Sequence, residues 1–143
     1  MENLEKKILT TNDFGLVKLL HEGLIERIND GILAIENEDY EELNKSINIS
    51  RDILTELILV FSKDDDLSTN LRSIYLFINK YITESEIKKD KDHLEEIKKV
   101  IFPLLAAFGD LEKSEEGRVV SGLTYGKSNL DDHKLGGNRT FEV

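Results

Sequence analysis

Between Val17 and Leu111 the apolar residues of this chain recur every three or four positions, in four blocks separated by short charged breaks. That spacing marks one face of an α-helix, where a turn takes 3.6 residues. Val17, Leu20, Leu24, Ile28 and Ile35 share the first face, and Leu43, Ile47, Leu54, Leu57, Ile58 and Phe61 the second. The third carries Leu67, Leu71, Ile74, Ile78 and Ile82; the fourth carries Leu94, Ile97, Ile101, Leu104, Phe108 and Leu111. Thr10 with Asp13, and Asp39 with Glu42, have capping-box spacing, and Asp90 is placed to cap the fourth helix. The run Asp64-Asp65-Asp66 reads as a solvated helix start at the positive end of the dipole. It lacks the alternation around a glycine that an EF-hand loop needs. The breaks "ENED", "SKDDD" and "KKDKD" allow only antiparallel neighbours. The expected fold is all-α: an antiparallel up-down four-helix bundle over residues 10–111, after an N-terminal segment 1–9.

Composition narrows the function. The 143 residues carry a formal charge of −10, which argues against a nucleic-acid partner because phosphate binding needs a basic face. The chain has no Cys, hence no disulfide, thiolate chemistry or Cys-ligated zinc, in keeping with a reducing cytoplasm. Neither the start "MENLEKKILTTND" nor any later stretch has the apolar run of a signal peptide or a membrane span, so no membrane insertion is expected.

Two features sit outside the helical pattern. Pro103 lies within the fourth block, where it removes a backbone hydrogen bond and crowds the preceding turn, so a kink or a break is expected there. From residue 112 the apolar period is lost and glycines gather, which predicts an irregular, flexible tail over 112–143. Its apolar residues Val119, Val120, Leu123, Tyr125 and Phe141 either dock back on the bundle, as an internal competitor for its partner, or stay disordered. The tail stretch "SGLTYGKSN" resembles half of a phosphate-binding loop. Gly126-Lys127-Ser128 is in place, but Ser121 stands where the first glycine belongs, and no parallel strand precedes it.

Catalytic chemistry is missing. The three histidines, His21, His93 and His133, lack the Glu-x-x-His context of a carboxylate-bridged metal bundle, and no cofactor is implied. His21, on a helix beside Glu22 and Gly23, offers an alternative reading as a phosphotransfer or signalling bundle, although the adjacent carboxylate would repel a phosphoryl donor.

The apolar surface, by contrast, exceeds what one core needs. On a wheel of about 100° per residue, Ile49, Ile53 and Val60 fall roughly 60–80° away from the main stripe of the second helix. In the third helix, Phe77, Tyr81, Ile74, Ile78, Leu71, Ile82 and Tyr75 spread over roughly 160°, with Leu76 outside even that arc. Any one of these residues can be core; together, on adjacent helices, they suggest a groove for another helix. The expected partner contacts are Ile49, Ile53, Val60, Tyr75, Leu76, Ile78 and Tyr81.

The ordered segments resemble the FliS family of flagellar export chaperones over about residues 10–111. Val17 and Leu20-His21-Glu22-Gly23 are similar to the family's opening Leu-x-x-Leu-Tyr-Asp-Gly stretch. Ile53-Leu54-Thr55-Glu56-Leu57, then Asn70-Leu71 with Ile74-Tyr75, then Lys89-Asp90 follow in the family's order. His21 stands where members often carry Tyr, and Phe108 where they often carry Trp. Residues 1–9 show little of the Tyr- and Asn-containing N-terminal segment thought to lie over the flagellin groove in many members. The resemblance implies a cytoplasmic, non-enzymatic chaperone. Its partner would be the C-terminal region of flagellin, whose terminal helices it would hold in apolar grooves against premature polymerisation. The flagellar export gate is a further implied partner. Leu20, His21 and Leu71, aligned by these motifs, read as structural.

Overall fold

The computed structural model describes residues 14–125, with side chains described as far as Ser114. Four helices follow one another: α1 Phe14–Glu36, α2 Tyr40–Val60, α3 Asp66–Lys88 and α4 Lys91–Tyr125. No strand occurs among the described residues, and α1 packs on α2 and α2 on α3 as antiparallel neighbours of a bundle. No described helix is long and apolar enough to cross a membrane.

The helix ends follow the sequence signals closely. Asp39 accepts from the Glu42 amide at 3.2 Å, Asp65 from the Ser68 amide at 2.7 Å and Asp90 from the His93 amide at 3.2 Å. Each carboxylate thereby satisfies an amide that has no partner within the helix. The acidic run is the N-terminus of α3, as expected. The proposed Thr10–Asp13 cap lies outside the described residues.

Two corners are built alike. At the end of α1 the Glu38 amide donates to the Ile35 carbonyl and the Asp39 amide to that of Ala34. At the end of α3 the Lys89 amide donates to Glu86 and the Asp90 amide to Ser85. This double bond is the Schellman closure, whose residue after the helix must be left-handed. Glu38 (φ 55°) and Lys89 (φ 52°) hold that conformation although neither is glycine. Each is followed at once by the Asp that caps the next helix, which makes both turns short.

The core comprises Leu24 and Ile28 from α1, Leu43, Ile47, Leu54 and Leu57 from α2, Ile78 and Ile82 from α3, and Leu94, Ile97 and Ile101 from α4, all essentially without solvent exposure. α1 and α2 approach closely where Gly31 leaves room for the methyls of Leu94 and Leu43. α4 is tied to α1 by Lys98 to Asn29 (2.8 Å) and Lys91 to Glu36 (3.1 Å), and to α3 by a stack of His93 on Tyr81.

Two expectations about α4 change. Pro103 does not break it: its pyrrolidine faces outward and the helix runs through. Nor does the helix end near residue 111; it continues to Tyr125. Loss of an apolar period removes only the stripe that packs, whereas Glu112, Lys113, Glu115, Glu116 and Arg118 are good helix formers and Gly117 costs only about 1 kcal/mol. The chain divides into two units between Gly109 and Asp110, close to that loss of period. Gly126-Lys127-Ser128 lies outside the described residues, as do the side chains of Val119, Val120, Leu123, Tyr125 and Phe141, while Ser121–Tyr125 is helix.

Candidate partner-binding groove

α3 carries the site because its apolar arc is wider than the core can cover. Leu71, Tyr75, Ile78 and Ile82 fill the inner part and are buried. Ile74, Phe77 and Tyr81 occupy the edge of the arc toward α4 at spacings of three and four, so they form a continuous strip. Phe77 is 50% exposed and its ring lies 5.6 Å from that of Tyr81. On α4 the facing positions are His93, Val100, Leu104 and Ala107, of which Val100 and Leu104 are half-buried and Ala107 exposed. Exposed Pro103 extends this surface around α4, whereas Phe102 (49% exposed) follows Lys98 by one turn, on the side toward α1.

One end of the strip is closed. At that end His93 stacks on Tyr81 with centroids 3.8 Å apart and planes 11° from parallel. The Ser85 hydroxyl donates to the Tyr81 carbonyl at 2.9 Å, so the His93 Nδ1–H donates to the Ser85 oxygen at 2.7 Å. The imidazole is thereby oriented, and it holds the Tyr81 ring flat against α4. Between α2 and α3, Arg51 bridges Asn48, Thr83 and Glu86, and Asn44 also donates to Glu86. Arg72 caps the α2–α3 turn through the carbonyls of Phe61 and Lys63. These polar ties fix α3 against α2, so the strip is presented on a rigid support.

The expected contact residues separate into four placements. Tyr81 lies in the α3–α4 groove. Ile49 and Ile53 are half-buried on α2 toward α1, Ile53 reaching within 3.6 Å of where a side chain on Gly23 would begin. Leu76 points outward, 58% exposed. Val60, Tyr75 and Ile78 are core, at 3%, 0% and 0% exposure, and are corrected from partner contacts to packing residues. The wheel could not separate them because a 160° arc does not say where the neighbouring helices lie. Phe77, Ile74, Val100 and Leu104 line the groove without having been singled out; the available signal was the Phe77–Tyr81 pairing at i, i+4 on the arc's outer edge.

The structure also disposes of the phosphotransfer reading. His21 is 0% exposed, its Nδ1–H donates to the Val17 carbonyl at 2.8 Å, and its Nε2 accepts from the Tyr75 hydroxyl at 3.0 Å. Neither nitrogen can reach a phosphoryl donor. Leu71 is buried and Leu20 half-buried, as structural residues should be. Among the described residues no group of three or more His, Cys, Asp or Glu is placed to hold a metal ion.

The described residues form an all-α helical bundle with a partly exposed apolar strip along α3. Residues 1–115 match the family model described as flagellar protein FliS, and the chain belongs to that family. It is similar to the flagellar secretion chaperone FliS of Bacillus subtilis (strain 168), with 23% identity over 111 residues that cover 78% of this chain and 84% of the relative.

Proposed function

We propose that this chain is a cytoplasmic flagellar export chaperone that holds the C-terminal region of flagellin, with a flagellin helix lying in the α3–α4 groove. The observation that carries the reading is the strip Ile74, Phe77 and Tyr81 on the edge of α3 toward α4, an apolar surface only partly covered beside a filled core, with Phe77 50% exposed. Family membership supports the same reading, since its members are flagellar proteins.

The mechanism requires binding only. Flagellin's terminal helices, unfolded before assembly and apolar, are given a place to fold in which their polymerising faces are covered. Ordering a disordered segment costs about 2–5 kcal/mol of the interaction energy, which favours a long groove over an isolated pocket. The stacked Tyr81–His93 pair serves as a stiff wall that loses little entropy when the partner arrives. Release at the export gate would then need no chemical step on the chaperone.

Calorimetric titration with a peptide from the C-terminal region of flagellin tests this directly. Saturable binding that is weakened by Phe77→Ser supports it. The absence of heat and of co-elution at tens of micromolar peptide rules it out.

A further inference from the structure

A second apolar face remains open on the bundle, on the side where α1 meets α2, and its charge differs from that of the α3–α4 groove. From α1 come Leu16 and Leu20, half-buried, and Leu19, 60% exposed; from α2 come Ile49 and Ile53, half-buried. Gly23 lets Ile53 lie close to the α1 backbone, so the strip is continuous across the two helices. Carboxylates surround it: Glu26 and Asp30 on α1, and Glu42, Asp52 and Glu56 on α2. Only Arg27 and Lys45 oppose them, and Arg27 is already engaged by Asp30 at 3.1 Å and Glu26 at 3.7 Å. Asp52 and Glu56 make no ion pair among the described residues. At the α1–α2 turn the face continues into a hollow of about 200 Å³ lined by Asp30, Leu33, Ala34, Asn37, Asp39 and Glu42. The α3–α4 groove, in contrast, is bordered by both signs, Glu84 and Glu96 with Lys88.

We propose that the α1–α2 face is a second docking surface, whose occupant is a cationic amphipathic helix from a partner protein. Leucine- or isoleucine-type side chains at i, i+3, i+4 and i+7 would cover Leu19, Leu20, Ile49 and Ile53. Flanking lysines or arginines would meet Glu26 and Asp30 on one side and Asp52 and Glu56 on the other. Charge complementarity selects this occupant over a second copy of the chain, because a two-fold contact would set these carboxylates against themselves. It also selects against an acidic segment, which the α3–α4 groove would tolerate better. The inference does not depend on the flagellin reading, since it concerns a different face and a different charge.

The test uses the full chain, isotopically labelled, and two synthetic helical peptides of about five turns. Both carry the same leucine stripe; one has lysine flanks and the other glutamate flanks. The expected result is that the lysine peptide binds saturably and shifts the amides of Gly23, Ile49 and Ile53, whereas the glutamate peptide does not. Its affinity should fall at least tenfold between about 50 and about 500 mM salt. At about 50 mM salt the affinity should also be at least tenfold lower for the double variant Asp52→Lys, Glu56→Lys, whose altered residues are exposed and leave the fold intact. Equal binding of the two peptides would overturn the proposal, as would shifts confined to α3 and α4, or an affinity indifferent to the double variant. Methyl–methyl cross-peaks between Leu4 or Ile8 and Ile53 in the free chain would also overturn it, by making the chain's own N-terminal segment the occupant.

Discussion

The Tyr75 hydroxyl donates to His21 Nε2 across 3.0 Å, joining α3 to α1 inside a core where neither residue has any exposed surface. Because a carbonyl can only accept, the bond to Val17 fixes a proton on Nδ1, and in the neutral imidazole that burial favours Nε2 is the acceptor for Tyr75. The rings of Phe108 (5.3 Å) and Tyr75 (5.6 Å) pack against it. Burial holds the His21 pKa below its ordinary value of 6.5 and pushes the Tyr75 hydroxyl well above the ordinary phenol range.

This pair makes stability depend on pH in a definite direction. Above pH 6.5 His21 is neutral in both folded and unfolded chains and contributes no slope. As the pH falls through 6.5 and on toward the lowered folded value, the unfolded chain takes up a proton that the folded chain refuses, so stability drops. The slope from this one group is at most about 1.4 kcal/mol per pH unit. Urea unfolding across this range should show that slope in the native chain, and His21→Gln should remove it. Identical slopes in the two proteins would contradict the assignment.

Tyr75→Phe should be costly for a different reason. It leaves Nε2 buried without a donor, and an unsatisfied buried acceptor costs about 1–3 kcal/mol. The double variant Tyr75→Phe, His21→Leu, which removes both partners, should recover part of that loss; chemical denaturation of the three proteins gives the comparison.

Phe77 and Ile78 are adjacent in sequence and opposite in role, at 50% and 0% exposure. Ile78→Ala should lower stability by about 2–5 kcal/mol through loss of burial and creation of a cavity. Phe77→Ser should leave stability within about 0.5 kcal/mol and weaken binding of the flagellin peptide at least tenfold, as calorimetry would measure.

The left-handed corner at Glu38 offers a stabilising change. A side chain in that region carries a penalty of roughly 1 kcal/mol that glycine avoids. Glu38→Gly should therefore raise the thermal midpoint by a few degrees. Lys89→Gly should gain less, because Lys89 also lies over the Tyr40 ring at 5.0 Å.

Gly23 and Gly31, both within α1, should respond differently to added methyls. A methyl on Gly23 would meet Ile53 at an ordinary 3.6 Å, so Gly23→Ala should stabilise by about 0.5–1 kcal/mol through helix propensity. At Gly31 the Leu94 methyl is already 3.3 Å away and Leu43 is 3.5 Å away. Gly31→Val should therefore destabilise by about 1–3 kcal/mol through overpacking. Denaturation midpoints of the two variants would decide it.

The sequence by itself determined the four helices, the Asp caps at 39 and 90, the acidic start of α3 and the up-down order, because these depend on spacing and on side-chain bonds to nearby amides. It also carried the family resemblance, in four short elements in the right order. Only the tertiary structure decided which part of the wide α3 arc is core. Helical periodicity records that Tyr75, Phe77, Ile78 and Tyr81 are apolar, but burial depends on where α2 and α4 stand, and nothing local encodes that. For the same reason periodicity alone left His21 open as a reactive histidine; the family resemblance read it as structural, and Tyr75 opposite it decides the matter. The extent of α4 was hidden in another way. Beyond residue 111 the helix persists on propensity without a packing stripe, and a reading based on apolar period has nothing there to detect.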